Sequence, residues 1–174
     1  MPVNQMLLKT WKISFGDGNL IDPWKKPINW LPFGWGRYAP PDATVVLDES
    51  ELRNLLAQVK PEDDVILYAH GSPQQLWAMF QDGRANKSIG PRNYREVFAP
   101  LKDKGIRSLR LNACETAKEQ QFIGKDASSF AVMLSKYLPD THIIATPKDV
   151  WFLFGAVFHT YLNGERIGHP KRLR

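Results

Sequence analysis

The chain has 174 residues, 43% hydrophobic and 24% charged, with a formal net charge of +5, enough for a single domain over residues 1–174 to bury a core without disulfides or metal. Its one cysteine excludes an internal disulfide and any cysteine-rich zinc site, and no apolar run approaches the roughly 18 residues needed to span a bilayer. Arg166, Lys171, Arg172 and Arg174 against Glu165 concentrate much of the positive charge at the C-terminal end, which reads as a solvated basic tail and not as a nucleic-acid surface.

The first residues lack the basic-then-apolar signature of a secretory signal, so the expected location is the cytoplasm, or a target cell reached without such a signal. Leu7 to Ile13 reads as an opening strand. From Phe15 to Pro41 the chain is punctuated by glycine and proline, with Trp24, Trp30, Phe33 and Trp35 between them. No regular helix or central strand tolerates that composition, and so much tryptophan argues against plain disorder. The expectation for residues 1–43 is a strand followed by an ordered aromatic loop over the core, with a lid or docking surface as the functional alternative.

Residues 44–146 alternate between β and α patterns. Thr44 to Leu47 is a short β-branched run. Asp48 stands at an N-cap position with Glu51 three residues on, and Leu52, Leu55, Leu56 and Val59 make one helix face. Val65 to Ala69 reads as a strand covered on both faces. The segment Ser72 to Gly90, with Trp77, Met79 and Phe80, is expected either to border a cleft or to form a small hairpin. Tyr94, Val97, Phe98 and Leu101 repeat the helical stripe, Leu109 to Ala113 is the next strand, and Asp126 is expected to cap a helix carrying Phe130, Met133, Leu134, Tyr137 and Leu138. His142 to Thr146 is a further strand. In residues 147–174, Val157 to Leu162, Asn163-Gly164 and Glu165 to Ile167 read as a hairpin with a type I′ turn. The pattern predicts an α/β fold with a mostly parallel central sheet flanked by helices and a C-terminal β-hairpin.

Two strand ends carry the chemistry. The run Val65-Ile66-Leu67-Tyr68-Ala69 ends in His70-Gly71, and Leu109-Arg110-Leu111-Asn112-Ala113 ends in Cys114. In open α/β sheets ligands bind beyond the carboxyl ends of the strands. The 44-residue separation of His70 from Cys114 accommodates a crossover helix, which makes the two strands parallel neighbours. A thiol nucleophile with an imidazole base is then the reading, with the N–H groups of Gly71 and Cys114 placed to stabilise an oxyanion.

With Tyr68-Ala69-His70-Gly71 and Leu111-Asn112-Ala113-Cys114, the chain resembles the caspase-like (clan CD) cysteine peptidases, nearest to bacterial CHAT-like or toxin and effector protease domains. The resemblance covers roughly Thr44 to Thr146. It implies a three-layer caspase-like sandwich, His70 as general base and acid, Cys114 as nucleophile and Gly71 as an oxyanion contact. It also implies a protein or peptide substrate, no cofactor and no metal, with any activator or inhibitor protein unknown. The caspase motif with Gln before Ala-Cys and Gly after is replaced by Asn112 and Glu115, which places the chain outside true caspases. In such peptidases the loop after the next strand helps form the substrate pocket. Here that loop holds Asp149, which would select a basic side chain, and Trp151, which would wall the pocket.

His142 and His159 read as structural or exposed, the four histidines lack close metal-ligand spacing, and Asp63-Asp64 reads as a solvated turn. There is no Gly-x-Ser-x-Gly elbow and no phosphate-binding glycine motif. The expected function is a cysteine endopeptidase. The alternatives are a catalytically inactive caspase-like domain that docks a partner, and an acyl transferase using the same dyad.

Overall fold

The computed structural model describes residues 8–16, 39–78, 87–122, 125–148 and 156–173. The Trp-rich expectation for Phe15 to Pro41 falls almost entirely outside these residues, as do Met79, Phe80, Asp149 and Trp151.

A seven-stranded sheet organises the chain. Its strands are β1 (Thr10–Phe15), β2 (Thr44–Val46), β3 (Asp64–Tyr68), β7 (Ser108–Asn112), β10 (His142–Ala145), β11 (Ala156–Leu162) and β12 (Glu165–Leu173). Among the described residues there are two smaller pieces: β4 (His70–Ser72), β5 (Gln75–Trp77) and β6 (Ser88–Ile89) form a three-stranded meander, and β8 (Gln120–Phe122) pairs with β9 (Lys125–Ala127). The helices are α1 (Glu49–Leu56), α2 (Tyr94–Phe98), which a 3₁₀ turn extends through Leu101, and α3 (Phe130–Tyr137). Spatial order in the large sheet is β2-β1-β3-β7-β10-β11-β12, parallel from β2 through β10 and antiparallel beyond. This is the mixed α/β architecture the alternating pattern predicts, a central sheet flanked by three helices among the described residues.

Register and burial follow from the alternation of side chains along a strand. Ile13, Leu67 and Leu111 align in one row, and Val65, Leu109, Ile143 and Tyr161 in the next. All seven are buried. Helix α1 contributes Leu52 and Leu56 to the same core, α2 Tyr94, Val97 and Phe98, and α3 Phe130, Ala131 and Leu134. Edge-on ring contacts at 6.3 Å between Tyr94 and Phe130 and 6.5 Å between Phe98 and Phe130 lock α2 to α3. The helices touch in series, α1 on α2 and α2 on α3, so they form one layer on one face of the sheet. The opposite face is more polar. It carries Lys12, Ser14, Ile66, Tyr68, Arg110, Asn112 and Ile144, and the Arg110 guanidinium lies over the Phe158 ring at 4.6 Å. Val65 to Ala69 is thus fully buried at alternate positions only, whereas the apolar run predicts cover on both faces.

Local signals held in part. Asp48 caps α1 by accepting from the Glu51 N–H at 2.9 Å, and the Glu51 carboxylate accepts from the Leu47 N–H at 2.7 Å. The N-cap of α3 is Ser129, whose Oγ accepts from Val132 N–H at 3.3 Å, while Asp126 belongs to β9. The expected cap lay three residues too early because a short hairpin intervenes. Asn163 and Gly164 both have positive φ, 49° and 83°, as a type I′ turn requires. The basic tail is ordered, since β12 runs on to Leu173 as the exposed edge strand of the sheet.

Asp63 is no solvated turn. It is buried, and its carboxylate accepts from the Trp11 Nε1–H at 2.8 Å, the Lys9 N–H at 3.0 Å and the Lys60 N–H at 3.0 Å. Burial pulls its pKa up, and these donors outweigh burial to hold it below the usual carboxylate value. The residue fastens the start of β1 to the turn before β3. Asp63→Ala leaves these donors without their acceptor and is expected to cost about 1–3 kcal/mol. For the native chain, a depressed carboxyl makes this contribution complete above the unfolded value near 4 and removes it as pH falls through the folded value. Urea unfolding of both proteins at neutral and acidic pH measures both effects.

Candidate active site

His70 and Cys114 leave the sheet from neighbouring parallel strands at the same level. The ladder between β3 and β7 pairs Tyr68 with Asn112, and Ala69 N–H extends it to the Asn112 carbonyl at 3.4 Å. The spacing argument for adjacent strands therefore agrees with the pairing. Beyond this point the two chains separate in direction. His70 begins β4, whereas Ala113 to Ala117 make a turn.

Gly71 fixes how closely they approach. A Cβ added there would collide with the Cys114 carbonyl oxygen and lie 2.9 Å from the Ala113 Cβ and 3.0 Å from the Cys114 nitrogen. The main chains after the two strands are thus in direct contact, and only glycine fits. The two-residue turn Pro73-Gln74 closes on the pair Ser72 and Gln75.

The turn that carries Cys114 is strapped on several sides. Glu115 N–H donates to the Lys148 carbonyl at 3.1 Å, Ala117 N–H to Thr146 at 3.0 Å, and Ala131 N–H of α3 to Thr116 at 2.9 Å. Thr116 Oγ1 donates to the Ala113 carbonyl at 3.2 Å. Glu115 adopts a left-handed φ of 53°, which is costly for a side chain with a Cβ, and its carboxylate pairs with Lys118. Such a conformation persists only where neighbours over-determine it.

Cys114 and His70 are both half-buried. Burial lowers the proton affinity of the His70 imidazole below its ordinary 6.5, so the ring is neutral at pH 7 and able to accept a proton. Of the predicted substrate residues, Asp149 and Trp151 lie outside the described residues. The loop that leads to them starts beside Cys114, through the Lys148 carbonyl bond. A cavity of about 300 Å³ lies elsewhere, between the starts of α1 and α2, and has Asp48, Glu49, Arg53, Lys87 and Glu96 in its walls. It includes neither His70 nor Cys114.

Sequence reasoning missed the left-handed Glu115, for which no residue-type signal exists. The small hairpin expected within Ser72 to Gly90 is present as β4 and β5, and it makes Trp77 the direct cross-strand partner of His70. Compared with protein-family models, curated proteins and solved structures, the chain matches none of them. No helix among the described residues is long and apolar enough to cross a membrane.

Gly71→Ala is expected to destabilise the fold by about 1–3 kcal/mol through overpacking, measured by urea unfolding, and unchanged stability would mean that the two main chains part freely. The His70 ring should titrate below 6.5 when followed by NMR. Because its folded value is lowered, the associated stability is present above about 6.5 and declines as pH falls toward the folded midpoint. His70→Gln should flatten that part of the stability profile.

Proposed function

We propose that the chain is a caspase-like cysteine endopeptidase with Cys114 as nucleophile and His70 as general base and acid. The observation that carries the reading is the meeting of His70-Gly71 and Ala113-Cys114 at the carboxyl ends of two adjacent parallel strands. A neutral, half-buried imidazole and a strapped, half-buried thiol are the components such chemistry requires.

In the first step His70 takes the Cys114 thiol proton while sulfur bonds to the scissile carbonyl carbon. The carbonyl oxygen becomes an oxyanion, to which the Gly71 and Cys114 N–H groups would donate. Collapse breaks the carbon–nitrogen bond, and the imidazolium gives its proton to the departing amine. Water then adds to the thioester with His70 again taking a proton. The carbon–sulfur bond breaks, the acid product leaves, and the proton returns to sulfur. Proton count and charge balance without a cofactor or metal.

The substrate is a protein or peptide, and Asp149 and Trp151 remain the proposed pocket residues, with selection of a basic side chain. The proposed setting is the cytoplasm or a target cell, as an effector or toxin domain.

The test is the alkylation rate of Cys114. Iodoacetamide should label it at least about tenfold faster at pH 7 than a free cysteine with the usual thiol constant, and His70→Ala should remove the excess. Peptide-library cleavage should vanish in Cys114→Ala. A slow rate, indifferent to His70, together with absence of Cys114-dependent cleavage, would sink the assignment.

A further inference from the structure

The meander that begins with His70 has two unlike faces. Gly71, Leu76 and Ile89 are cross-strand neighbours, and the latter two are fully buried. On the other face His70, Trp77 and Ser88 form a row, one residue from each strand, and all three are half-exposed. Directly paired residues of an antiparallel ladder project to the same side with Cβ atoms about 5 Å apart, so Trp77 and His70 stand side by side on this face.

The platform under this row is fixed. Pro73 at the hairpin turn accepts from the Phe130 N–H of α3 at 2.7 Å, and Ala78 N–H donates to Lys87 at 3.0 Å. Asn93 clasps the far strand, with Nδ2 donating to the Ser88 carbonyl at 2.9 Å and Oδ1 accepting from Gly90 N–H at 2.8 Å. A half-exposed tryptophan on a rigid support is a preorganised apolar contact surface. Packing within the core uses Leu76 and Ile89, on the opposite side, so among the described residues the core does not account for the Trp77 face.

Chemistry says what meets that face. The group that receives the proton from His70 is the departing amine, so the residue on the leaving side of the scissile bond must lie beside the imidazole. We infer that Trp77 walls the subsite for this residue and that the site selects an apolar side chain there. The inference rests on the peptidase reading of Cys114 and His70, and it concerns the opposite side of the scissile bond from Asp149 and Trp151.

The experiment compares two peptides that differ only in the residue after the cleaved bond, leucine or glycine, with wild type, Trp77→Ala and Trp77→Phe. Wild type should prefer leucine by about tenfold in kcat/KM, the scale a small apolar contact supplies. Trp77→Ala should bring the ratio close to one, and Trp77→Phe should retain most of it. The ratio is the readout because a merely structural role for Trp77 lowers both peptides together and leaves the ratio intact. An unchanged ratio in Trp77→Ala, or a wild type that cleaves both peptides equally, overturns the subsite while leaving the peptidase reading standing. Failure of wild type to cleave any peptide in a Cys114-dependent way overturns both.

Discussion

The register between β3 and β7 is the constraint on which the rest depends. It pairs Val65 with Leu109, Leu67 with Leu111 and Tyr68 with Asn112, and so brings His70 and Cys114 to the sheet edge at one level. A slip of one residue would turn Leu67 or Leu111 away from the helices, which alternation forbids wherever one face is buried. A slip of two preserves the faces but shifts one strand end by about 6.6 Å. That alternative is opposed at the other end of the strands, where Asp64 accepts from the Arg107 Nε–H and the Ser108 hydroxyl, and the Asp63 carbonyl accepts from Arg107 N–H. Polar pins at the amino end therefore set where the reactive residues emerge at the carboxyl end.

Below the edge, position is set by strands; beyond it, by straps. Cys114 lies one residue from a left-handed Glu115, in a turn tied to α3 and to the segment after β10. His70 lies in a meander tied to α3 through Pro73. Helix α3 thus holds both turns through its first two residues, Phe130 and Ala131. The same residues are buried in the core against α2 and the sheet. Apolar burial, worth about 1.5–3 kcal/mol for a side chain such as Phe130, is in this way coupled to the geometry of two short polar loops.

What was legible in the sequence had a period. Leu52, Leu55 and Leu56 declared α1, and the paired runs around Leu67 and Leu111 declared parallel neighbours, because alternation and helical spacing repeat within a few residues. What failed depended on contacts distant in the chain. Asp63 looks like a turn residue beside Asp64, and only Trp11, some fifty residues earlier, shows it to be a buried acceptor. Asp126 and Ser129 are equally good caps by type, and the β8–β9 hairpin decides between them. The run Val65 to Ala69 is apolar enough for cover on both faces, yet the helices share one face because their crossovers all step across the sheet in one direction. At the site, the residue types at positions 70, 71 and 114 were readable. Their contact through Gly71 needed the three-dimensional arrangement.

The surroundings of His70 also bear on how the proposed reaction would start. A preformed ion pair of thiolate and imidazolium is favoured when a carboxylate or helix end stabilises the charged ring. Here the influence on His70 is burial, which favours the neutral ring. Among the described residues, Glu115 pairs with Lys118, and Arg110 lies over Phe158 and donates to the Asn112 side chain at 3.2 Å. In the proposed reaction, a neutral ring is one able to take the thiol proton as sulfur attacks. Burial also ties reactivity to exclusion of water from the His70 ring. Trp77 is the cross-strand partner of His70, so the proposed leaving-side contact and the base lie on one face of the meander.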